Sequence, residues 1–310
     1  METVRFKREN LTKKLVKLNG GLGNQMFQYA FAYALSKKFN IDIAFDLSWF
    51  DDVKIHQNVT PRPFELSVFN IDCEAATEKD LAKVVQSKRR SKIPRFLWKI
   101  FKIQKYKPTG NKFIQMSAFE FDKTLFNQSD YFYYEGYFQN EKYFKNVREE
   151  ILNHFKLKVA LDYKNQLILN KIRETNSVSI HVRRGDYVTL ECAKNFHGTC
   201  SLDYYQKVIK YIAKKVKDPH FFVFSDDIAW VSDNLKTKYP CTIVDVNQDK
   251  SWLDLELMKN CKHNIIANSS FSWWGAWLNE TPKKIVIAPK KWVAKNNKKC
   301  GIIPPKWIKL

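Results

Sequence analysis

The chain has 310 residues, of which 45% are hydrophobic and 15% are aromatic. This composition excludes a disordered chain, and the length allows one large domain or two ordinary ones. The formal net charge is +21, from 53 basic and 32 acidic side chains. Such a surplus favours polyanions, nucleotides or acidic membrane surfaces as partners. Because the chain carries no nucleic-acid-binding motif, nucleic acid is not an expected partner.

The sequence gives no sign of export or membrane insertion. Residues 1–14 are too polar for a signal peptide, and no apolar run is long enough to span a bilayer. The six cysteines include no Cys-x-x-Cys pair and are expected to be reduced. We therefore expect a cytoplasmic enzyme.

One segment offers a route to the inner face of the membrane. Residues 88–107 contain nine basic residues and no acidic one, interleaved with aromatic side chains. This composition is typical of an interfacial helix on anionic lipid. The alternative is an inserted helix that packs its aromatic face on the domain and keeps its lysines in water. Peripheral membrane contact through 88–107 is thus one of two interpretations.

The first predicted elements are a strand, a glycine-rich turn and a helix. Leu15–Leu18 is the expected strand, Asn19–Gln25 the turn, and Met26–Lys38 a helix that is apolar on most faces. This arrangement presents backbone N–H groups, such as that of Gly21, to an anion.

The glycine-rich turn differs from the turn that binds dinucleotides. In the dinucleotide fingerprint a third glycine permits close packing of the helix on the strand, whereas Gly21 and Gly23 are followed by Met26. Met26 therefore argues against NAD. The turn instead carries two adjacent amides, Asn24 and Gln25, which are able to bind hydroxyl groups.

Strands and helices alternate along the rest of the chain. Tyr131–Phe138 is predicted to be an aromatic strand, and Phe155–Thr175 contains the crossover between two domains, 1–160 and 161–310. A basic, tryptophan-containing tail ends the chain. The alternation implies parallel sheets, most simply in two Rossmann-like α/β domains facing across a cleft. Strands of the second domain are predicted at Val178–Val182, Phe221–Phe224, Thr242–Val246, Asn264–Ala267 and Ile285–Ala288, with a helix to Lys238 among those between them.

Three strands of the second domain lead into polar motifs. His181–Asp186 contains two adjacent arginines, whose planar forks suit phosphate oxygens. Ser225–Asp227 offers carboxylates that accept hydrogen bonds from a guanine edge, and Asn268–Ser272 places serines and N–H groups at a helix start, where they hold phosphate. Each motif alone is also typical of a helix cap or a surface ion pair. Because parallel strands end at one edge of a sheet, the three motifs together predict a ligand site.

Three segments resemble the motifs of a known family. Gly20–Met26, His181–Tyr187 and Asn268–Ala276 are similar to motifs of α-1,2-fucosyltransferases, the GDP-fucose-dependent inverting enzymes of glycosyltransferase family 11, in their bacterial form. The likeness covers about Leu15–Ile287. The His-x-Arg-Arg-x-Asp pattern is shared with α-1,6- and protein O-fucosyltransferases, whereas the Gly-Asn-Gln-Met turn points to the α-1,2 branch. The resemblance implies a GT-B fold with an acceptor-side first domain and a GDP-fucose-binding second domain.

The resemblance also implies roles for the residues that contact the nucleotide. Arg183 is expected to bind the β-phosphate and stabilise its charge as the fucosyl bond breaks, with support from Arg184. His181 and one of Asp226 and Asp227 are expected to hold guanine. The predicted donor-binding set also includes Gly21, Ser225, Asn268, Ser269 and Ser270, of which Ser269 or Ser270 is expected to bind phosphate.

On the sugar side the implied roles are less complete. Asn24, together with Gln25, is expected near the fucose. Asp186 and Glu191 join Arg183 as candidate catalytic residues, although Asp186 has the alternative role of orienting the arginines. Glu191 stands eight residues after Arg183, a spacing that resembles the proposed base of the α-1,6 relatives but is not general in the α-1,2 relatives. The base therefore stays open, and an oxocarbenium-like transition state does not require a strong one.

No metal or other cofactor is expected. Enzymes of the GT-A type neutralise the leaving diphosphate with a metal held by an Asp-x-Asp motif. The chain has no such motif, and the related pair Asp254 and Glu256 lies within a predicted helix. A metal-free site depends on preorganised guanidinium and N–H groups.

The expected reaction is therefore the inverting transfer of fucose from GDP-fucose to the 2-hydroxyl of a terminal β-galactose, as in lactose or lacto-N-biose. Two alternatives remain from the sequence alone. One is a fucosyltransferase of another linkage, such as α-1,6. The other is a basic nucleotide- or nucleic-acid-binding protein without catalysis.

Overall fold

The computed structural model describes residues 13–51, 60–82, 112–114, 118–126, 133–189, 198–294 and 301–310. Its residues form two compact units. The first comprises the residues up to Gly20, Asn24–Ser67 and Ile71–Ile151, and the second comprises Gly21–Gly23, Val68–Asn70 and Leu152–Leu310. Each unit contains a parallel sheet, which confirms the predicted α/β class. The predicted division into 1–160 and 161–310 stays a prediction.

The first unit is built on a four-stranded sheet in the order β2-β1-β4-β3, with every pair parallel. Its 3₁₀ turns lie at Leu66–Val68, Lys123–Phe126, Glu141–Tyr143 and Lys145–Val147. The strands and helices up to the end of this part of the chain are β1 (Lys14–Lys17), α1 (Leu22–Phe39), β2 (Ile43–Asp46), α2 (Ser48–Asp51), β3 (Lys112–Ile114), β4 (Tyr133–Glu135) and α3 (Arg148–His154).

Helix α1 is buried on most of its faces, as its sequence predicts. It begins at Leu22, four residues before the predicted start at Met26. The reason is Gly20, whose φ of +73° completes the turn by itself and leaves the following residues free to be helical. In the core of the unit, the ring of Phe31 stacks on that of Phe138 with a centroid distance of 3.8 Å.

The second unit is built on a six-stranded parallel sheet in the order β10-β9-β8-β5-β6-β7. Read from the other edge, this is the strand order of a Rossmann fold, and its topological switch point lies between β5 and β8. The elements are α4 (Tyr163–Glu174), β5 (Asn176–Val182), α5 (Gly185–Thr189), α6 (Leu202–Ala213), β6 (Pro219–Ser225), α7 (Ile228–Asn234), β7 (Cys241–Val244), α8 (Ser251–Asn260), β8 (His263–Ile265), α9 (Ser270–Leu278), β9 (Val286–Ala288) and β10 (Ile308–Lys309).

Two predictions for this unit were wrong. Helix α7 ends at Asn234 rather than Lys238, because the backbone leaves the helical region at Leu235 (φ −85°, ψ 79°), whose side chain is buried. The predicted tail contains a strand, β10, which pairs with β9 at the edge of the sheet. The N–H of Leu310 donates to the carbonyl of Ala288, so the pairing partner, and not a pattern in two residues, creates this strand.

A chain of hydrogen-bonded polar side chains links α4, α8 and the loop after β7, and its two asparagines, Asn165 and Asn247, are buried. Asp162 caps α4 and accepts from the amide of Asn165, which exchanges hydrogen bonds of 2.8 Å with Asn247. Asn247 in turn donates to Oδ1 of Asp254 at 2.8 Å. Burial raises the pKa of Asp254 to about 6, against the lowering effect of this hydrogen bond. Asp254 is therefore a partly buried carboxylate whose ionisation lowers the stability of the folded state.

Replacing this carboxylate by its amide tests the assignment. The pKa of Asp254 is 3.8 in the unfolded chain and about 6 in the folded chain. The folded state therefore loses stability as the pH rises through this window. Asp254→Asn keeps the acceptor oxygen, and we expect it to increase the free energy of unfolding by about 3 kcal/mol at most above pH 7. Urea denaturation should show this gain shrinking towards pH 4. The exposed control Asp233→Asn should change stability little, and an equal gain at both pH values contradicts the prediction.

Candidate active site

The register of the second sheet places the two arginines beside the two aspartates. Val182 at the end of β5 pairs with Ser225 at the end of β6. The next residues of both strands therefore face each other, Arg183 with Asp226 and Arg184 with Asp227. Because β8 flanks β5 on its other side, the three predicted motifs follow three adjacent strands, β8, β5 and β6.

Arg183 is held by the carboxylate of Asp226. Its Nη1 lies 2.8 Å from Oδ2, and the second oxygen, Oδ1, accepts from the backbone N–H of Arg184 at 2.8 Å. Gly185 makes room for this carboxylate, since a Cβ at that position would lie 2.4 Å from Oδ2 of Asp226. The glycine in the His-x-Arg-Arg-Gly-Asp sequence is therefore required by contact with the neighbouring strand end.

Arg184 is held by Asp227 in the same way. Its Nε lies 3.0 Å from Oδ2 of Asp227, while Oδ1 caps α7 by accepting from the N–H of Trp230 at 3.0 Å. The hydroxyl of Ser225 accepts from the N–H of Asp227 at 3.0 Å. All four oxygens of the two aspartates thus bind arginine or backbone groups. The guanine contact predicted for one of them stays a prediction.

His181 lies at the same strand end and is buried. Its backbone carbonyl accepts from the hydroxyl of Tyr205 at 3.1 Å, and its ring lies 5.5 Å from that of Phe271. Burial lowers the pKa of His181 to about 4, and Arg183 acts in the same direction while Asp226 opposes it. The imidazole is therefore neutral at neutral pH. Its Nδ1 is buried and has no hydrogen-bond partner among the described residues, which is uncommon for a buried polar atom.

The third motif opens helix α9 and divides into structural and candidate binding residues. The amide of Asn268 donates to the carbonyls of Gly198 and Trp292, so this side chain fixes the backbone of its own loop. Ser269 is the N-cap residue, yet its side chain makes no capping hydrogen bond to the first turn, which the structure describes in full. Ser269 and the N–H groups that begin at Ser270 form the part of the motif suited to an anion.

The segment Gly21–Gly23, which belongs to the second unit, approaches the same helix start. A Cβ on Gly23 would lie 2.5 Å from the backbone nitrogen of Phe271, so only glycine allows this approach. The carbonyl of Gly23 accepts from the indole N–H of Trp274 at 3.0 Å. Gly21 is thereby placed near the predicted phosphate-binding helix start.

The two amides of the glycine-rich turn belong to the first unit and differ in their surroundings. The oxygen of Asn24 accepts from the amide of Gln139 at 2.8 Å. Gln25 is fully buried; its amide donates to the carbonyls of Gly20 and Pro63, and its oxygen accepts from the N–H of Glu65. Both N–H bonds of Gln25 are therefore used by the backbone. These hydrogen bonds give Gln25 a structural role, while its predicted place near the fucose stays a prediction.

Several predicted features lie outside the description. Glu191 and the segment 88–107 are not among the described residues, and of Asp186 only the backbone is described. Over the described part of the chain, no group of three His, Cys, Asp or Glu side chains is placed to hold a metal ion. The helices found there are also too short or too polar to cross a bilayer.

Sequence reasoning missed two aromatic residues at the site. The guanidinium carbon of Arg183 lies 5.3 Å from the centroid of Tyr187, and that of Arg184 lies 4.2 Å from the centroid of Trp230. Each aromatic follows an arginine or aspartate motif by three or four residues. A signal was therefore present, because this spacing on a helix turns a side chain back over its first turn.

Comparison with known proteins identifies the class. The model of glycosyl transferase family 11 matches residues 3–310, and the chain belongs to this family. The O-antigen biosynthesis glycosyltransferase WbnK of Escherichia coli is 36% identical over 291 residues, which cover 90% of this chain and 95% of the relative. An α-1,2-colitosyltransferase of Escherichia coli is 34% identical over 294 residues, with coverages of 90% and 91%. The protein is therefore a glycosyltransferase.

More distant relatives include a galactoside α-(1,2)-fucosyltransferase 2 of Pongo pygmaeus. It is 25% identical over 272 residues, which cover 84% of this chain and 67% of the relative. Among solved structures, the NodZ α-1,6-fucosyltransferase soaked with GDP-fucose aligns with a TM-score of 0.47 and 14% identity, covering 89% of this chain and 95% of that one. The family assignment does not depend on this low score.

The close approach of Gly185 to Asp226 predicts the effect of a single methyl group. In Gly185→Ala the new Cβ displaces the carboxylate from Arg183 and from the N–H of Arg184, and we expect a loss of about 1–3 kcal/mol in unfolding free energy. The loss should nearly vanish when the substitution is made in an Asp226→Ala background, because the displaced group is then absent. Urea denaturation measures the loss in unfolding free energy in each background.

A matched control is Gly275→Ala in α9. There the nearest atom to a new Cβ is Cβ of Met258 at 3.1 Å, a milder contact than the 2.4 Å found at Gly185, so the substitution should cost less. An equal loss for Gly185→Ala with and without Asp226 would show that the clash is not the cause.

Proposed function

We propose that the enzyme transfers L-fucose from GDP-β-L-fucose to the 2-hydroxyl of a terminal β-galactose, with inversion and without a metal ion. The product is a Fuc-α-1,2-Gal unit. The observation that carries this proposal is the pair of arginines held at the carboxyl edge of the second sheet, beside the topological switch point. The family membership and the α-1,2 specificity named for two of the relatives support it.

The location of the arginines supports an anionic nucleotide as the ligand. In open parallel sheets, ligands bind outside the carboxyl ends of the strands where the strand order reverses. Here that position lies between the end of β5, with His181 and Arg183, and the start of α9, with Ser269 and Ser270. The two sides supply forked positive charge and backbone N–H groups, which together suit a diphosphate.

Each residue then has a chemical task in the transfer. His181 is assigned to the guanine base, because its buried Nδ1 has no hydrogen-bond partner among the described residues. Arg183 stabilises the charge that develops on the β-phosphate, and Asp226 and Asp227 orient the two arginines. Since these groups are in place before the substrate binds, little reorganisation accompanies bond breaking.

The transfer breaks the bond between fucose C1 and the β-phosphate oxygen and forms a bond from C1 to the galactose 2-hydroxyl oxygen. The bonding electrons leave with GDP, and the hydroxyl proton passes to a base. The identity of this base stays open, with Glu191 and Asp186 as the two candidates. A non-catalytic nucleotide-binding protein does not fit the family membership.

Product analysis tests the reaction. We expect purified protein to release GDP from GDP-fucose in the presence of lactose, lacto-N-biose or N-acetyllactosamine, with an α-1,2 linkage in the product. Activity should survive EDTA, because guanidinium and N–H groups take the place of a metal. An α-1,6 product, complete loss with EDTA, or turnover of the corresponding colitose donor alone contradicts the respective part of the proposal.

Arg183→Lys tests the role of the forked guanidinium. The substitution keeps the positive charge but loses the second N–H of the fork and the stacking on Tyr187, so kcat should fall about a hundredfold. Steady-state kinetics with saturating donor measures this effect. Arg148→Lys, on the surface beside Glu149, is the matched control and should leave kcat unchanged. Near-normal turnover in Arg183→Lys would remove this residue from the chemical step.

A further inference from the structure

The two arginines are held on two sides, by a carboxylate at the edge and by an aromatic ring on the face. Asp226 and Asp227 bind the edges of the two guanidinium groups. The faces of the guanidinium groups contact two aromatic side chains, which belong to the helices that follow β5 and β6. Neither ring was predicted from the motifs.

A closed set of contacts joins three residues, Trp230, Asp227 and Arg184. Oδ1 of Asp227 accepts from the N–H of Trp230, Oδ2 accepts from Nε of Arg184, and the guanidinium stacks 4.2 Å above the indole ring. A single hydrogen bond to Nε leaves a guanidinium free to rotate about its side-chain bonds. The indole face reduces this freedom because it attracts the cation and occupies the space on one side of the guanidinium.

Tyr187 performs the corresponding task for Arg183. Its ring lies 5.3 Å from the guanidinium carbon, and its hydroxyl donates to the carbonyl of Asn268 at 3.4 Å. The tyrosine thus connects the arginine at the end of β5 to the backbone that leads into Ser269 and α9. This long contact is a link between the two sides of the proposed diphosphate site.

We propose that Trp230 and Tyr187 are positioning residues, which fix the guanidinium planes of Arg184 and Arg183 before the donor binds. This inference rests on the proposed function, because it assigns the arginines to the diphosphate. An arginine that is already ordered loses little freedom on binding, so its contacts contribute fully to affinity and to transition-state stabilisation. Neither aromatic ring is itself required to touch the substrate.

The inference predicts different kinetic effects for the two rings. Trp230→Leu removes the support of the binding arginine, so the dissociation constant for GDP and the KM for the donor should rise about tenfold with kcat little changed. Tyr187→Leu removes the support of the arginine that acts in the transition state, so kcat should fall about tenfold with a smaller effect on KM. Trp230→Phe and Tyr187→Phe retain a ring face, and they should recover most of each loss.

Calorimetric titration with GDP and steady-state kinetics provide the measurements. Tyr239→Leu is the matched control, because it also breaks a cation–π pair in the same unit, that of Lys238 and Tyr239, near the opposite end of the strands. This control should lower the unfolding midpoint and leave GDP binding, KM and kcat unchanged. The phenylalanine variants keep the test valid if a leucine variant does not fold.

The outcomes separate the inference from the function it rests on. If the unmodified protein binds no GDP and transfers no fucose, the proposed function fails. If it is active and the leucine variants at 230 and 187 lose only stability, as Tyr239→Leu does, the positioning role is overturned. Loss of GDP affinity in Trp230→Leu with rescue in Trp230→Phe supports it.

Discussion

The site depends on the pairing of two arginines with two aspartates across adjacent strand ends. Arg183 and Arg184 follow β5 directly, and side by side their charges repel each other and lose hydration. The register of β5 against β6 sets Asp226 and Asp227 opposite them, so both charges are balanced and both side chains are oriented. An anion that binds these guanidinium groups then does so without the cost of ordering flexible side chains.

Close contacts between neighbouring segments near this site require glycine at two positions. At Gly185 a side chain would displace Asp226, and at Gly23 it would collide with the backbone of Phe271. Both positions lie beside groups proposed to bind the donor. The neutral, buried His181 lies at the same strand end and lowers stability as the pH falls. Its retention in a folded chain fits a site in which function, rather than stability, sets the residue type.

Much of the fold followed from local patterns. The alternation of apolar strands with helices predicted parallel α/β sheets, and the polar residues at strand ends predicted where the motifs converge. Prediction from local sequence patterns failed where a residue distant in the chain determines the conformation. Ile308–Lys309 is a strand only because β9 lies beside it, and Gln25 is structural only because the carbonyl of Pro63 and the N–H of Glu65 reach its amide.

The sequence by itself determined the class of fold, the family resemblance and the identity of the arginine, aspartate and serine motifs, because these are written in short contiguous segments. Only the tertiary structure decided which aspartate meets which arginine, since that depends on strand register. It also decided that Trp230 and Tyr187 lie on the guanidinium faces and that His181 presents an unpartnered nitrogen in a buried setting. Contacts of this kind join residues that are distant in the chain, and no local pattern encodes them.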